Sequence, residues 1–215
     1  MSPAVPSPLS GRRTEAARND TRILESARAV FLADPGAPIT AVAKHAGVGI
    51  SALYTRYGSK AELLRKLCHD GLQLFVDETE AALADDREAW TTFAAYMRRL
   101  VDADTTSMTL ALAGKFSPTE EMFALAEHAN ELLGSLFERV RGELRSDADV
   151  RDLSMILELV AALKVSDRAR TERLRRRYLA VILDGMRAPD RGELPGPAPS
   201  WRELNERWVE RDAPS

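Results

Sequence analysis

The sequence predicts an all-α protein of about nine helices, with a three-helix N-terminal head carrying a helix-turn-helix and a larger helical bundle behind it. Three observations carry that expectation. Apolar residues recur at steps of three and four along most of the chain, no segment sustains strand alternation, and the strong helix formers Ala, Leu, Arg and Glu dominate the middle. Apolar residues make up 45% of the chain and charged residues 29%, the composition of a globular protein.

In the first helix Ile23, Ala27, Val30 and Phe31 form one stripe, and Asp34-Pro35-Gly36-Ala37-Pro38 ends it. Thr40 has the chemistry of an N-cap for a short second helix holding Val42, Ala43 and Ala46, after which Gly47 supplies the positive φ of a tight turn. A third helix runs from about Ile50 to Arg56, with Leu53 and Tyr57 four apart on its inner side. Gly58 breaks it. Ser59-Lys60-Ala61-Glu62 reads as a capping box that opens a long helix whose Leu63, Leu64, Leu67, Leu74 and Phe75 face inward.

Beyond Asp85-Asp86 a fifth helix places Trp90, Phe93, Met97 and Leu100 on one stripe, and a shorter apolar segment from Met108 to Leu112 stops at Gly114. Ser117-Pro118-Thr119-Glu120 predicts a capping box with proline at the first helical position. The helix that follows has Phe123, Ala126, Asn130, Leu133, Phe137, Val140 and Leu144 as its expected buried stripe. Two more helices are expected, one bearing Val150, Leu153, Leu157 and Val160, the other starting at Ser166-Asp167 and bearing Leu174, Tyr178, Val181, Ile182 and Gly185. PDRGELPGPAPS, with four prolines in twelve residues, reads as a linker. Trp201, Leu204 and Trp208 then share one face of a short terminal helix, expected to dock on the body or on a partner subunit. The expected organisation is a flexible arm (1–14), a three-helix head (15–62), a larger helical domain (63–188), a linker (189–199) and a short terminal helix (200–211).

The formal net charge is −3, but it is unevenly spread. Residues 1–70 hold ten Lys or Arg against six Asp or Glu, whereas the remainder holds 20 against 27, so a basic end sits on an acidic body. The single cysteine, Cys68, forms no internal disulfide and is expected as a buried, inert thiol in a reducing compartment. The first twenty residues lack the apolar run of a secretory leader, and no apolar stretch approaches the roughly 18 residues of a membrane helix. A cytoplasmic protein with no membrane contact is expected. His45, His69 and His128 lack ligand spacing, so no metal and no cofactor are expected. A helical-bundle enzyme finds no support: the chain has no HExxH, paired CxxC, phosphate-binding glycine loop or nucleophile–base spacing. Arg170, Arg173, Arg175, Arg176 and Arg177 read as a solvated helix face.

Residues 40–57 satisfy each constraint of a helix-turn-helix. Ala43 is small where the helices cross, Gly47 makes the turn, and Val42, Val48 and Leu53 form the miniature core. In this motif the N-terminal residues of the second helix meet base edges in the DNA major groove, here Ile50, Ser51 and Ala52, with Thr55 one turn on. Thr40 and Lys60 stand where helix-start amides hold phosphates.

ITAVAKHAGVGISALYTRYGSKAELL resembles the DNA-binding segment of the TetR family of bacterial repressors, most specifically in LYTRYGSKAELL, and the resemblance extends over residues 15–70. The resemblance implies that Tyr54 and Lys60 contact backbone phosphate and that Tyr57 closes the small core. The C-terminal part is similar to the family only in its helical plan and in YLAVILDGMR. The family usually has serine and then a polar or basic residue where this chain has Gly49 and Ile50; Ile50 cannot hydrogen-bond a base but can pack on a thymine methyl. Base reading would then lean on Ser51, Thr55 and Arg56.

By the same resemblance the protein is expected to be a homodimeric repressor on a pseudo-palindromic double-stranded operator, released by a small hydrophobic or amphipathic effector. The expected effector site comprises Phe93, Met97, Met108, Phe116, Asn130 and Phe137, and the expected dimer interface comprises Leu157, Val160, Tyr178 and Ile182 on the last two long helices. The alternative is a DNA-binding dimer whose body binds no ligand.

Overall fold

The computed structural model describes residues 8–187 and 192–206, with side chains from residue 18 onward. The regular elements among them are all helical: α1 (Pro8–Ala33), α2 (Ile39–Ala46), α3 (Ile50–Tyr57), α4 (Lys60–Leu83), α5 (Ala89–Ala103), α6 (Thr105–Leu112), α7 (Glu120–Val140), α8 (Val150–Ala162), α9 (Arg168–Arg187) and α10 (Trp201–Asn205). The chain forms two compact units, Met1–Leu67 and Cys68–Ser215, with the boundary inside α4.

In the first unit α1 begins at Pro8 and takes in residues 8–14, read above as an arm. Proline is tolerated at a first helical position, and Arg12 through Asn19 contain no breaker, so the helix continues past the apolar stripe that announced it. Ile23, Ala27 and Phe31 are buried on its inner face. Against them α2 packs Ile39, Val42, Ala43 and Ala46, and Leu53, Leu63, Leu64 and Leu67 add to the buried set. Thr40 is not the cap of α2. The helix starts one residue before it, with Pro38 in extended conformation (φ −71°, ψ 154°) as the cap residue, so Thr40 lies exposed in the first turn. Ring closure fixes the φ of Pro38 and thereby fixes the entry angle.

The second unit is built on α5, whose Trp90, Phe93, Tyr96, Met97 and Leu100 join residues of α7, α8 and α9 in one core. The Tyr96 hydroxyl, fully buried, pairs with the Thr79 hydroxyl at 3.0 Å, and Thr79 also donates to the Phe75 carbonyl. Burial pushes the Cys68 thiol up to about 12, as befits an inert core cysteine.

Two helices lie in a different register from the one their sequences suggest. Thr119, not Ser117, caps α7, its hydroxyl accepting from the Met122 amide at 3.3 Å, so Pro118 precedes the helix. The buried face is Met122, Ala129, Leu133, Leu136, Phe137 and Val140, whereas Phe123 is 55% exposed and Asn130 is exposed. The first turns of α7 carry apolar residues on several sides, so periodicity alone does not choose a face. The α9 face turned inward is Thr171, Arg175, Leu179, Leu183 and Met186, which leaves Tyr178 and Val181 exposed. After residue 191 the chain runs without helix to Ser200, whose reciprocal hydrogen bonds with Glu203 open α10; Leu204 is buried and α10 packs on α8. Trp208 lies outside the described residues.

The α4–α5 connection is held by one side chain. Arg139, on α7, donates Nη1 to the carbonyls of Ala82 and Leu83, both at 3.0 Å, and Nη2 to those of Asp85 and Arg87. These include carbonyls that the end of α4 leaves without intrahelical partners. Arg139→Met keeps the aliphatic stem and removes the donors. The expected loss is about 1–3 kcal/mol, a fall of roughly 2–10 °C in Tm in a thermal melt, and an unchanged melt would remove Arg139 as the support of this loop.

Candidate nucleic-acid interface

The turn between α2 and α3 is made by Gly47 (φ 64°, ψ 35°), whose amide donates back to Ala43 and Lys44 while the Val48 amide reaches the Ala43 carbonyl at 3.0 Å. This left-handed exit satisfies the last carbonyls of α2 and aims the chain into α3 within two residues. Gly49 caps α3 in an extended conformation (φ −67°, ψ 139°) without a side chain.

Along α3 only Leu53 is fully buried. Ile50 and Tyr57 are half-buried, and Ser51, Ala52, Tyr54, Thr55 and Arg56 are exposed. The residues expected to meet DNA thus form the open face of a short helix anchored by Leu53. Thr55 is partly committed, because its hydroxyl donates to the Ser51 carbonyl at 2.8 Å; it remains free to accept a hydrogen bond or to offer its methyl group.

Arg56 and Tyr57 converge on one carboxylate that sequence reasoning missed. Arg56 donates Nε to Asp20 Oδ1 at 2.8 Å and Nη2 to Oδ2 at 3.0 Å, and the Tyr57 hydroxyl donates to Oδ1 at 2.5 Å. The Arg56 guanidinium holds the Asp20 carboxyl below the usual carboxylate range, and burial followed by the Asp20 hydrogen bond pushes the Tyr57 phenol up. Asp20 stands 36 positions from Arg56, and no local pattern links the two. Tyr57, half-buried, thereby ties α3 to α1.

Lys60 has a structural task beside the phosphate contact expected of it. Its ammonium donates to the carbonyls of Ala37 at 2.7 Å and Gly36 at 3.2 Å and lies 5.3 Å from the centre of the Phe31 ring, stapling the start of α4 to the α1–α2 connection. Ser59 caps α4 by accepting from the Glu62 amide at 3.1 Å.

In the second unit the residues expected to line an effector site are dispersed. Phe93, Met97 and Phe137 fill the core, Met108 is buried on α6, Phe116 is half-buried and Asn130 faces out on α7. A small cleft in this unit is lined by Leu100, Val101, Asp104, Thr106, Leu157, Val160, Ala161 and Arg175, and has room for about one water. Leu157 and Val160, expected at a dimer interface, are buried in their own protomer because α8 turns them toward α5 and α6. Tyr178 is 48% exposed and Ile182 half-buried. Arg175 departs from the solvated face expected of the arginine run: it is 8% exposed, donates Nη1 to Asp104 at 2.6 Å and reaches the carbonyls of Leu163 and Ala161 at the end of α8.

The family model described as "Bacterial regulatory proteins, tetR family" matches residues 23–67, the span that holds α2, α3 and the anchoring parts of α1 and α4. No curated protein matches the sequence. Among solved structures, the chain is similar to a TetR transcription regulatory protein from Mycobacterium vanbaalenii, at 27% identity over 82% of this chain and 99% of that one, with a TM-score of 0.54. It is similar as well to the TetR transcriptional regulator SCO0520 from Streptomyces coelicolor, at 25% identity over 79% and 99%, with a TM-score of 0.56. The TetR-like regulator LfrR from Mycobacterium smegmatis, solved in complex with proflavine, shares the fold at 20% identity over 77% and 96%, with a TM-score of 0.53.

The two glycines flanking the turn separate by mutation. Neither has an atom within 4 Å of where a Cβ would stand, so only backbone conformation distinguishes them. Gly47→Ala is expected to cost about 1–2 kcal/mol from its positive φ. Gly49→Ser, which supplies the missing cap, is expected to add a few tenths of a kcal/mol. Melting temperatures that move in the same direction for both would contradict this geometry.

Proposed function

We propose that this chain, whose residues 23–67 match the model of the tetR family of bacterial regulatory proteins and whose fold resembles solved regulators of that family, is one of them and acts as a homodimeric repressor that presents α3 of each protomer to a major groove of double-stranded DNA. The observation that carries this reading is the open face of α3. Ser51, Tyr54, Thr55 and Arg56 project from a helix whose one fully buried side chain is Leu53, on the basic end of an otherwise acidic chain. A two-fold dimer would call for a pseudo-palindromic operator with half-sites about one DNA turn apart. Ser51 and Thr55 are assigned to base edges, Tyr54 and the Lys60 end of α4 to phosphate. Nothing in this role needs a metal or a cofactor, and a DNA-bound regulator works in the cytoplasm.

Selection from a random DNA pool tests this reading. Enrichment of a symmetric sequence is expected, and an unenriched pool would sink it. Ser51→Ala or Thr55→Ala is then expected to flatten preference at one symmetric pair of positions, at a cost of roughly 1–3 kcal/mol, without altering the salt slope.

The dimer surface is assigned to the outward faces of α8 and α9, two helices packed on one another that leave Leu159 63%, Tyr178 48% and Val181 57% exposed. Large apolar side chains left exposed on two adjoining helices are the natural candidates for an association surface. Tyr178→Glu with Val181→Glu is expected to halve the mass measured by light scattering and to abolish specific binding, and an intact dimer would displace the interface to another face.

Repression is proposed to be relieved by a small hydrophobic or amphipathic effector binding the second unit. A ligand that prefers the form unable to hold the operator lowers DNA affinity by its differential affinity for the two forms. The proflavine complex of a protein with the same fold supports the capacity of such a bundle to take a flat aromatic ligand. Release of operator DNA by compounds of this class is the test. Failure across a hydrophobic library would favour the other reading, a DNA-binding dimer without a ligand.

A further inference from the structure

Asp20 is the only group among the described residues seen to engage two successive side chains of α3. Its Oδ1 accepts from both Arg56 Nε and the Tyr57 hydroxyl, and its Oδ2 accepts from Arg56 Nη2. The carboxylate side chain is 20% exposed and the arginine 60%, so the anchor sits deep and the cation stands out. A guanidinium has five N–H donors in a rigid plane, and Asp20 takes the edge formed by Nε and one hydrogen of Nη2. The outer edge, with one hydrogen of Nη1 and the second of Nη2, points away from that pair. It keeps the fork geometry that matches two acceptors at once.

We infer that Asp20 is a positioning residue for DNA recognition: it fixes Arg56 on the last turn of α3 with its outer edge set for a paired acceptor, either two phosphate oxygens or the O6 and N7 atoms of guanine. The inference rests on the DNA-binding reading above. A contrary role, in which Asp20 acts as a decoy that keeps Arg56 from DNA, requires the carboxylate to occupy the donors DNA would use. It occupies only one edge.

The two roles give opposite results for Asp20→Asn. Removing a negative charge from a basic head strengthens attraction to any DNA. Freeing a long side chain that must be immobilised again on binding weakens the one complex that needs it in place, by roughly 2- to 10-fold. Affinities of the wild type and of Asp20→Asn are therefore measured for the selected operator and for random duplex, with a thermal melt to verify folding. The expected result is unchanged or tighter binding to random DNA and a fall of roughly 3- to 10-fold in the operator-to-random ratio. In an Arg56→Lys background, where no fork remains, the same substitution is expected to leave the ratio unchanged. Asp20→Glu, which retains the acceptor pair, is expected to recover part of the loss.

Arg56→Ala identifies the acceptor. A salt slope reduced by about 1 with preference intact marks phosphate, and flattened preference at one G·C pair marks guanine. An Arg56→Ala variant that alters neither overturns the inference. So does an Asp20→Asn ratio that stays level or rises, while the wild type still selects its operator. A wild type that selects no sequence overturns the DNA-binding reading itself, and the positioning role falls with it.

Discussion

A helix ends with carbonyl groups that have no partner inside it, and a protein made almost wholly of helices must satisfy many such ends. Here arginines meet part of that demand at the ends of α4 and α8, and other cationic side chains take carbonyls of the connections between helices. Lys60 takes the carbonyls of Gly36 and Ala37, Arg139 those of Ala82, Leu83, Asp85 and Arg87, and Arg175 those of Ala161 and Leu163. Arg141 closes on Ser146 and Ala148, and Arg145 reaches the Gly192 carbonyl. The connections between helices are thus drawn onto the helices themselves.

This use of cations alters how the basic residues bear on DNA binding. A count of charges treats Arg56, Lys60 and Arg175 alike as positive groups open to a polyanion. Arg175 is sealed between Asp104 and two carbonyls, Lys60 is shared with the α1–α2 connection, and Arg56 shares one edge with Asp20. A guanidinium or ammonium already bonded to protein acceptors contributes less to counterion release than its formal charge suggests, but what it keeps free is held in a fixed direction. On α3, under the positioning role inferred for Asp20, that exchange would favour selectivity over bulk attraction.

In the second unit the core is consolidated by aromatic and long aliphatic residues of α5 against α7, α8 and α9. Side chains that a sequence reading groups as pocket lining, Phe93, Met97 and Phe137, fill space against one another. A small cleft lies beside the Asp104–Arg175 pair. Asp104 adopts φ 52°, the one positive φ at a non-glycine residue among those described, and makes the corner between α5 and α6. Apolar residues in excess of this core remain on the outer faces of α8 and α9.

The sequence by itself determined the helical class, the end of α2, the limits of α3 to within a residue, the glycine turn between them and the face of α3 that stays open. Each depends on residues within one or two turns of each other: Gly47 at a left-handed exit, Leu53 four positions before Tyr57, Gly58 at the break. What only the tertiary structure decided depends on partners far apart in the chain. The inward face of α7 passes through Met122 and leaves out Phe123 and Asn130, and the inward face of α9 passes through Arg175 and leaves out Tyr178, because the neighbouring helices choose among apolar stripes that the helix alone leaves equivalent. Leu157 and Val160 went to the protomer core for the same reason. Asp20 carries no sign of its role within α1; it acquires one only when folding brings Arg56 and Tyr57 from 36 and 37 residues away to a single carboxylate.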